Sequence, residues 1–389
     1  MADAAEGGFG NESRGGPGHV TKVFPGNNTA QGFYSFYEYI VGPDARRIII
    51  IKGGPGVGKS TFMRRTADAL LERGFDVELH FCSSDPGSLD AVVFPQIGVA
   101  LIDGTAPHVV DPRNPGAVDE ILHLGDFWDE PAMRAKRQKI QEVNREVGRL
   151  FERAYRFLRA ARAVYDDIEA ANMEGMNFGL VNKIADHLLR ELFTGIHVSP
   201  LVGRQRHLFA SANTPKGVVH YLPTIISPMK HRYIIEGEPG TGKSTLLHKV
   251  ATAALERGYF VAMYHCALNP SKIEHVVVPG MSLVLTKSIE PHATRPGPND
   301  RVVDMNECLN PATAAKHAEL LRDDHILYDE LLQRAFGFLA GAKHAHDVLE
   351  GYYVPNMNFK GVEDLWKRTL LRILDYAAEA KASVIKTLE

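Results

Sequence analysis

The glycine-rich stretch Gly53-Gly54-Pro55-Gly56-Val57-Gly58-Lys59-Ser60-Thr61 lies between two segments with clear patterns. The apolar run from Ile48 to Ile51 predicts a buried strand, and the residues from Phe62 to Arg73 predict a helix. A G-x-x-x-x-G-K-S pattern between a strand and a helix is typical of a phosphate-binding loop, or P-loop. Glycines let the backbone curl so that its N–H groups point at phosphate oxygens, and the helix adds the positive end of its dipole.

This loop predicts the binding of a nucleoside triphosphate together with Mg²⁺. Lys59 is expected to reach the β- and γ-phosphates, and the Ser60 hydroxyl is expected to ligate the metal. The chain lacks the Asn-Lys-x-Asp motif that recognises guanine. We therefore do not expect a GTPase, and this motif alone leaves the base preference open.

The loop occurs a second time as Gly237-Glu238-Pro239-Gly240-Thr241-Gly242-Lys243-Ser244-Thr245. The similarity extends beyond the loop, because Gly53–His108 aligns with Gly237–His292 without a gap and with many identities. Farther on, Met176-Asn177-Phe178 recurs as Met357-Asn358-Phe359. The repetition predicts that the whole unit is duplicated, and that the second loop also binds nucleotide or phosphate.

We predict an α/β fold of two tandem P-loop NTPase domains. Each is expected to have a mostly parallel sheet flanked by helices, with a long helical insertion or tail. The predicted boundaries are 20–195 for the first domain, 196–206 for a linker and 207–389 for the second domain. Residues 1–19 are rich in Gly, Ala and small polar residues, which predicts a disordered tail.

The composition limits the class of protein. A net charge of −3 gives no global attraction to nucleic acid or to an anionic membrane, and no apolar run is long enough to span one. The cysteines Cys82, Cys266 and Cys308 have no metal-binding spacing, and no signal peptide is recognisable. We therefore expect a cytoplasmic protein with no membrane partner, and the sequence leaves a homo-oligomer open.

Three further residues join Lys59 as candidate catalytic residues. The apolar run that ends in Asp103 is the Walker B pattern, so this carboxylate is expected to hold Mg²⁺ with the P-loop serine. Asp85 follows a predicted strand and could hold a water on the metal, act as a base or merely cap a helix. His108, or Thr105 in its place, could orient the attacking water or a substrate hydroxyl, although His108 could also have only a structural role.

The second repeat differs where the chemistry is expected, because Asp103 is replaced by Lys287. A lysine cannot ligate Mg²⁺, and its charge would compete with the metal for the phosphates. We expect this domain to hydrolyse nucleotide poorly, although Ser244 remains a candidate metal ligand. Three acids could substitute for the missing aspartate: Glu274, Glu290 and Asp304.

Two weaker signals lie in predicted helices. The helix predicted from residue 131 to 172 carries arginines and lysines along one face, which would suit phosphate groups or nucleic acid but is also typical of a solvated face. We therefore do not expect nucleic acid as a partner, although the sequence still allows it. His344-Ala345-His346-Asp347 could hold a metal ion or simply lie on a helix surface.

Three segments resemble a family of bacterial and archaeal tandem P-loop ATPases that is described as nucleotide-kinase-related. They are the loop Gly53–Thr61, His80-Phe81-Cys82-Ser83-Ser84-Asp85 and Ile102-Asp103-Gly104-Thr105-Ala106-Pro107-His108. The resemblance covers nearly the whole chain after its N-terminal tail. It implies a cytoplasmic ATP-binding protein and supplies no substrate.

The function that these patterns favour is a Mg²⁺-dependent ATPase with hydrolysis centred in the first domain. One alternative is a phosphotransferase that acts on a small molecule or a nucleotide. The other is a nucleotide sensor without turnover, or an ATPase regulated by a partner. Turnover of ATP without an acceptor would favour an ATPase, whereas phosphorylation of an added metabolite would favour the phosphotransferase.

Overall fold

We describe the chain from a computed structural model, in residues 18–106 and 109–388, with side chains described up to residue 380. Most of the predicted tail and the candidate His108 therefore lie outside the described residues. Gly18 and His19, the last two residues of that predicted tail, hydrogen-bond to Leu71 and Asp76 through their backbone N–H groups. In the described part of the chain, none of the helices is long and apolar enough to cross a membrane.

In the described residues, the strands of each half of the chain come before its long helices. In chain order the strands are β1 (Val20–Val23), β2 (Gly26–Thr29), β3 (Gly32–Ser35), β4 (Arg47–Lys52), β5 (Val77–Phe81), β6 (Leu89–Phe94), β7 (Val99–Asp103), β8 (Asp119–His123), β9 (Gln205–Leu208), β10 (Ser211–Thr214), β11 (Gly217–His220), β12 (His231–Glu236), β13 (Val261–His265), β14 (Ile273–Val278), β15 (Leu283–Lys287) and β16 (Arg301–Asp304). The helices are α1 (Lys59–Leu71), α2 (Glu130–Ala135), α3 (Arg137–Met173), α4 (Phe178–Phe193), α5 (Leu222–Ile226), α6 (Lys243–Glu256), α7 (Pro311–Lys316), α8 (Ala318–Tyr353) and α9 (Phe359–Leu388). Short 3-10 helices occur at Tyr37–Tyr39, Pro95–Ile97, Leu124–Phe127, Pro279–Met281, Met305–Cys308 and Val354–Asn356.

Two six-stranded sheets have the same strand order. The first sheet runs β1-β5-β6-β7-β4-β8, and the second runs β9-β13-β14-β15-β12-β16. In each sheet one strand, β6 or β14, is antiparallel to both of its neighbours, and the other pairs are parallel. The predicted pair of mostly parallel sheets flanked by helices is confirmed.

The strand before the first glycine loop is buried because its residues are apolar and β-branched. Ile49, Ile50 and Ile51 of β4 are at most 1% exposed. Helix α1 covers β5, β6 and β7 with an apolar face that includes Phe62 and Met63. Burial of each such side chain stabilises the fold by about 1.5–3 kcal/mol. This packing fixes the end of β4 and therefore the start of the loop.

The compact units of the structure are discontinuous in sequence. Among the described residues, the first unit contains 18–26, 35–152 and 338–388, and the second contains 27–34 and 153–337. Helix α4 thus belongs to the unit of the second sheet, and α9 belongs to the unit of the first sheet. The predicted domain boundaries follow the sequence repeat. The compact units instead exchange two helical hairpins between the repeats, which are the end of α3 with α4 and the end of α8 with α9.

The repeated Met-Asn-Phe motif attaches each hairpin to its unit. In the second unit, the Asn177 backbone N–H donates to Cys308 O at 2.8 Å, and its side chain accepts a hydrogen bond from Leu180 N at the start of α4. In the first unit, the Asn358 N–H donates to Phe127 O, also at 2.8 Å, and its side chain accepts from Gly361 N. Each asparagine therefore combines a backbone contact to its unit with the N-cap of a helix.

Candidate functional site

The first glycine loop connects β4 to α1 in the first unit. Gly56 and Gly58 have φ angles of 67° and 93°, a region that favours glycine because it has no Cβ. Gly58 is the N-cap residue of α1, so the first helical residue is Lys59. The loop therefore has the curled backbone and the helix start that the sequence predicts.

Lys59 and Asp103 are brought together at this loop. Lys59 Nζ lies 3.6 Å from Asp103 Oδ2 and donates to the carbonyl oxygens of Gly53 and Gly54 at 2.9 and 2.8 Å. The two charged side chains are only 12% and 17% exposed. A partly buried cation and anion thus lie next to the loop backbone.

Asp103 is positioned by its strand and by the residue two positions later. It ends β7, directly beside Ile51 of β4 in the parallel register. Its Oδ1 accepts a hydrogen bond from Thr105 N at 2.9 Å, and Thr105 Oγ1 donates to Gly53 O at 3.0 Å. The carboxylate is therefore tied to the loop through Thr105, which sequence reasoning did not single out for this role.

Ser60 faces the start of β6. Its Oγ accepts a hydrogen bond from Leu89 N at 3.0 Å, and a hydroxyl oxygen has a second lone pair for another partner. Strand β6 was not predicted, so this contact was not foreseen. It places the turn between β5 and β6 next to the loop.

Asp85 lies in that turn, where it accepts hydrogen bonds from Gly87 N and Ser88 Oγ at 3.2 and 2.9 Å. Its Oδ2 also lies 3.5 Å from Lys343 Nζ. Within the residues described, we find no hydrogen bond or ion pair that joins Asp85 to Lys59, Ser60 or Asp103. Asp85 therefore has the contacts of a turn-stabilising residue, and its catalytic role stays a prediction, as does that of His108.

The C-terminal end of α8 packs on the first loop. A Cβ on Gly54 would lie 2.8 Å from Tyr353 Cε1, and a Cβ on Gly56 would lie 2.8 Å from Val354 Cγ2. Gly54 and Gly56 are therefore needed for close packing, and Gly56 also for its backbone angle. The sequence shows only that Tyr353 and Val354 lie just before the repeated Met357 motif, and this does not predict the contact.

The second glycine loop resembles the first in its backbone and its lysine, but the charged side chain next to its serine differs. Lys243 Nζ donates to the carbonyl oxygens of Gly237 and Glu238, as Lys59 does in the first loop. Lys287 Nζ donates to Ser244 Oγ at 2.7 Å, and Ser244 Oγ donates to Ile273 O at 3.2 Å. An ammonium group therefore lies at the hydroxyl that was predicted to ligate Mg²⁺.

Two buried lysines define the electrostatics of the second loop. Burial and the charge of Lys287 lower the pKa of Lys243 to about 8, and burial lowers the pKa of Lys287 against the opposing charge of Glu274. Both side chains are buried. Two neighbouring ammonium groups with little access to water favour an anionic ligand.

The end of α3 packs on the second loop as α8 packs on the first. Asn172 Nδ2 donates to Pro239 O at 2.9 Å, and a Cβ on Gly240 would lie 2.4 Å from Glu169 O. Asn172 corresponds to Tyr353 when the two Met-Asn-Phe motifs are aligned, because each lies four positions before its methionine. The contact of a long helix with a glycine loop is thus part of the repeat.

Comparison with known proteins gives one short match. The family model for mitochondrial ribosomal death-associated protein 3 matches residues 227–268, a segment that includes the second glycine loop. This segment is too small a part of the chain to establish membership. The predicted resemblance to a bacterial and archaeal ATPase family is wrong, because the matched family is a mitochondrial ribosomal one. No curated protein and no solved structure matches the chain.

Proposed function

We propose that the protein is an ATPase of the P-loop class, in which the first unit binds Mg²⁺-ATP and hydrolyses it. The observation that carries this proposal is the approach of Lys59 Nζ to Asp103 Oδ2, at 3.6 Å beside the glycine loop. An ammonium group for the phosphates and a carboxylate for the metal are the two charges that this chemistry needs. A cytoplasmic location is part of the proposal and is supported by three free cysteines.

The residues at the first loop fit the metal and the nucleotide. Ser60 Oγ and the Asp103 carboxylate are hard oxygen donors, which Mg²⁺ prefers. When bound, the metal would neutralise charge that develops on the transferred phosphoryl group. Lys59 would exchange its bonds to the loop carbonyls for bonds to phosphate oxygens, and the loop N–H groups would orient the polyphosphate.

The residues at the second loop do not fit Mg²⁺. Ser244 Oγ is engaged by the Lys287 ammonium, which has no lone pair and repels a cation. We therefore propose that Ser244 is not a metal ligand, in revision of the sequence prediction. The second loop would bind a phosphate group through Lys243 and Lys287 without metal, and would not support hydrolysis.

The test is the release of phosphate from ATP by the full chain in the presence of Mg²⁺. We expect Lys59→Ala and Asp103→Asn to lower the rate by at least about 100-fold, the scale of losing one preorganised electrostatic contact. Lys243→Ala serves as the matched control in the second loop, and its rate should stay close to that of the unmodified chain. Equal losses in both loops would contradict the asymmetric proposal, and transfer to an added metabolite instead of water would favour the phosphotransferase.

A further inference from the structure

A second cluster of polar side chains is buried in the second unit and is not used by the proposed ATPase. It consists of Glu274, His275 and His292, whose candidate ligand atoms all lie within 4.8 Å of one another. His275 and His292 are 0% and 2% exposed. Buried imidazoles normally have hydrogen-bond partners, so this cluster requires an explanation.

A β-bulge brings the first two members together. In the pairing of β13 with β14, Tyr264 lies opposite His275 and His265 lies opposite Ile273, so Glu274 is the extra residue. Adjacent residues of a regular strand point to opposite faces, whereas a bulge redirects one of them. The bulge therefore allows a carboxylate and an imidazole from neighbouring positions to face the same point.

Several ring nitrogens of the cluster lack hydrogen-bond partners. His275 Nδ1 lies 2.7 Å from Thr286 Oγ1, and its Nε2 has no partner. Neither ring nitrogen of His292 has a hydrogen-bond partner, and Nδ1 lies 3.5 Å from Glu274 Oε2, which is too long for a good hydrogen bond. A metal-binding imidazole usually donates its other ring N–H to a fixed oxygen atom, and for His275 the Thr286 hydroxyl can accept such a bond from Nδ1 and leave Nε2 for a metal.

We propose that Glu274, His275 and His292 bind one divalent transition-metal ion of the zinc class. Two imidazoles and one carboxylate are a common ligand set for this ion, and its remaining position is open to a further ligand. The ring of His220 lies near the cluster, edge-on to that of His292 at 5.6 Å between centroids, but His220 is not one of the three residues whose ligand atoms meet. The charge of Lys287 opposes a cation here, and the carboxylate of Glu274 offsets it.

The first repeat provides an internal comparison. Its strand β6 has the same bulge, with His80 opposite Ala91 and Phe81 opposite Leu89. In the ungapped alignment of the repeats, Asp90 corresponds to Glu274, but Ala91 replaces His275. The first unit therefore lacks one imidazole of the ligand set, and we expect one ion per chain.

The test uses the full chain after removal of metals with a chelator, without nucleotide. We expect calorimetric titration with Zn²⁺ to show one site, and Co²⁺ to give the visible absorption of an imidazole-bound ion. His275→Ala, which introduces the residue of the first repeat, and Glu274→Gln should each weaken Zn²⁺ binding by at least about tenfold. Glu274→Gln retains the shape of the side chain, so it keeps the test valid if His275→Ala does not fold by circular dichroism.

The matched control is His346→Ala. His346, Asp347 and Glu350 on α8 form another group of potential ligands, but it is partly exposed. This variant should bind Zn²⁺ like the unmodified chain. The proposal is overturned if the unmodified chain binds no stoichiometric metal, if folded Glu274→Gln binds it normally, or if His346→Ala removes the site.

Discussion

Lys287 Nζ donates a hydrogen bond of 2.7 Å to Ser244 Oγ, the hydroxyl of the second glycine loop. Lys287 lies beside Ile235 in the parallel register, as Asp103 lies beside Ile51 in the first sheet. The two sheets therefore carry opposite charges at equivalent positions, each near its own loop. The carboxylate at this position can ligate a metal ion that accompanies a bound anion. The ammonium group at the same position repels a metal ion and can bind an anion directly.

The first prediction concerns the charge of Lys287. We expect Lys287→Met to weaken the binding of sulfate to the second loop by about tenfold or more, because a hydrogen bond to a charged group contributes roughly 1.5–3 kcal/mol. Methionine retains the length of the side chain and removes the charge. Calorimetric titration with EDTA present, in a Lys59→Ala background that disables the first loop, measures the change.

Lys249→Met is the control, because Lys249 lies on the same helix as Ser244 and bonds to Asn182. Equal weakening in both variants would contradict a specific role for Lys287.

The second prediction is that the binding of sulfate to the second glycine loop depends on pH. The pKa of Lys243 is lowered to about 8 by burial and by Lys287, while Glu238, Glu169 and Glu274 act in the opposite direction. Below this pKa the ammonium is present, and above it the charge is lost, so sulfate binding should weaken as the pH rises from 7 to 9. We expect about a tenfold loss at pH 9, since one pH unit above a pKa leaves about a tenth of the group charged.

Sulfate is the probe because its own charge does not change over this range. The affinity should be measured at pH 7, 8 and 9 in the Lys59→Ala background. In a Lys243→Met variant the affinity should be low at every pH and the slope should disappear. A constant affinity up to pH 9 with Lys243 intact would show that this amine does not bind the anion.

The third prediction separates packing from backbone angle at the glycine loops. Gly240 has a φ of 85°, and a Cβ on it would lie 2.4 Å from Glu169 O, a backbone atom that cannot move aside easily. We expect Gly240→Ala to destabilise the second unit by about 3 kcal/mol or more, since a backbone clash adds to the roughly 1–3 kcal/mol of the strained angle. Gly195→Ala is the matched control, because Gly195 has a φ of 75° and open space around it.

Urea unfolding of both variants measures the difference, and the m-value should stay unchanged. The control should lose only the cost of the backbone angle. If the two variants lose equal stability, the contact between α3 and the loop does not contribute.

The local features of the loops could be predicted from the sequence, because they depend on neighbouring residues. The apolar run before Gly53, the helix after it and the acid at Asp103 all have local signals, and they form β4, α1 and the end of β7. The partner of each hairpin could not be predicted, because an apolar helix face indicates burial but not the surface that covers it. The contact of Lys287 with Ser244 and the bulge at Glu274 depend on strand register, which single positions do not encode.

The last prediction tests the exchange of hairpins between the repeats. Asn177 caps α4, and its backbone bonds to Cys308 of the second unit, although it lies in the first repeat of the sequence. Loss of an N-cap costs about 1 kcal/mol, which corresponds to roughly fivefold faster opening. We therefore expect Asn177→Ala to accelerate amide hydrogen exchange in α4 and in β12 to β14, and to leave β4 to β7 unchanged.

Asn358→Ala is the reciprocal variant, since Asn358 bonds to Phe127 in the first unit. It should accelerate exchange in α9 and in the strands around β4, and leave the second sheet unchanged. The paired design removes general effects of losing an asparagine, because each variant is the control for the other. The opposite result would be faster exchange in the first sheet for Asn177→Ala and in the second sheet for Asn358→Ala, with the other sheet unaffected in each case. Each hairpin would then be stabilised by its own repeat, and the exchanged arrangement would be wrong.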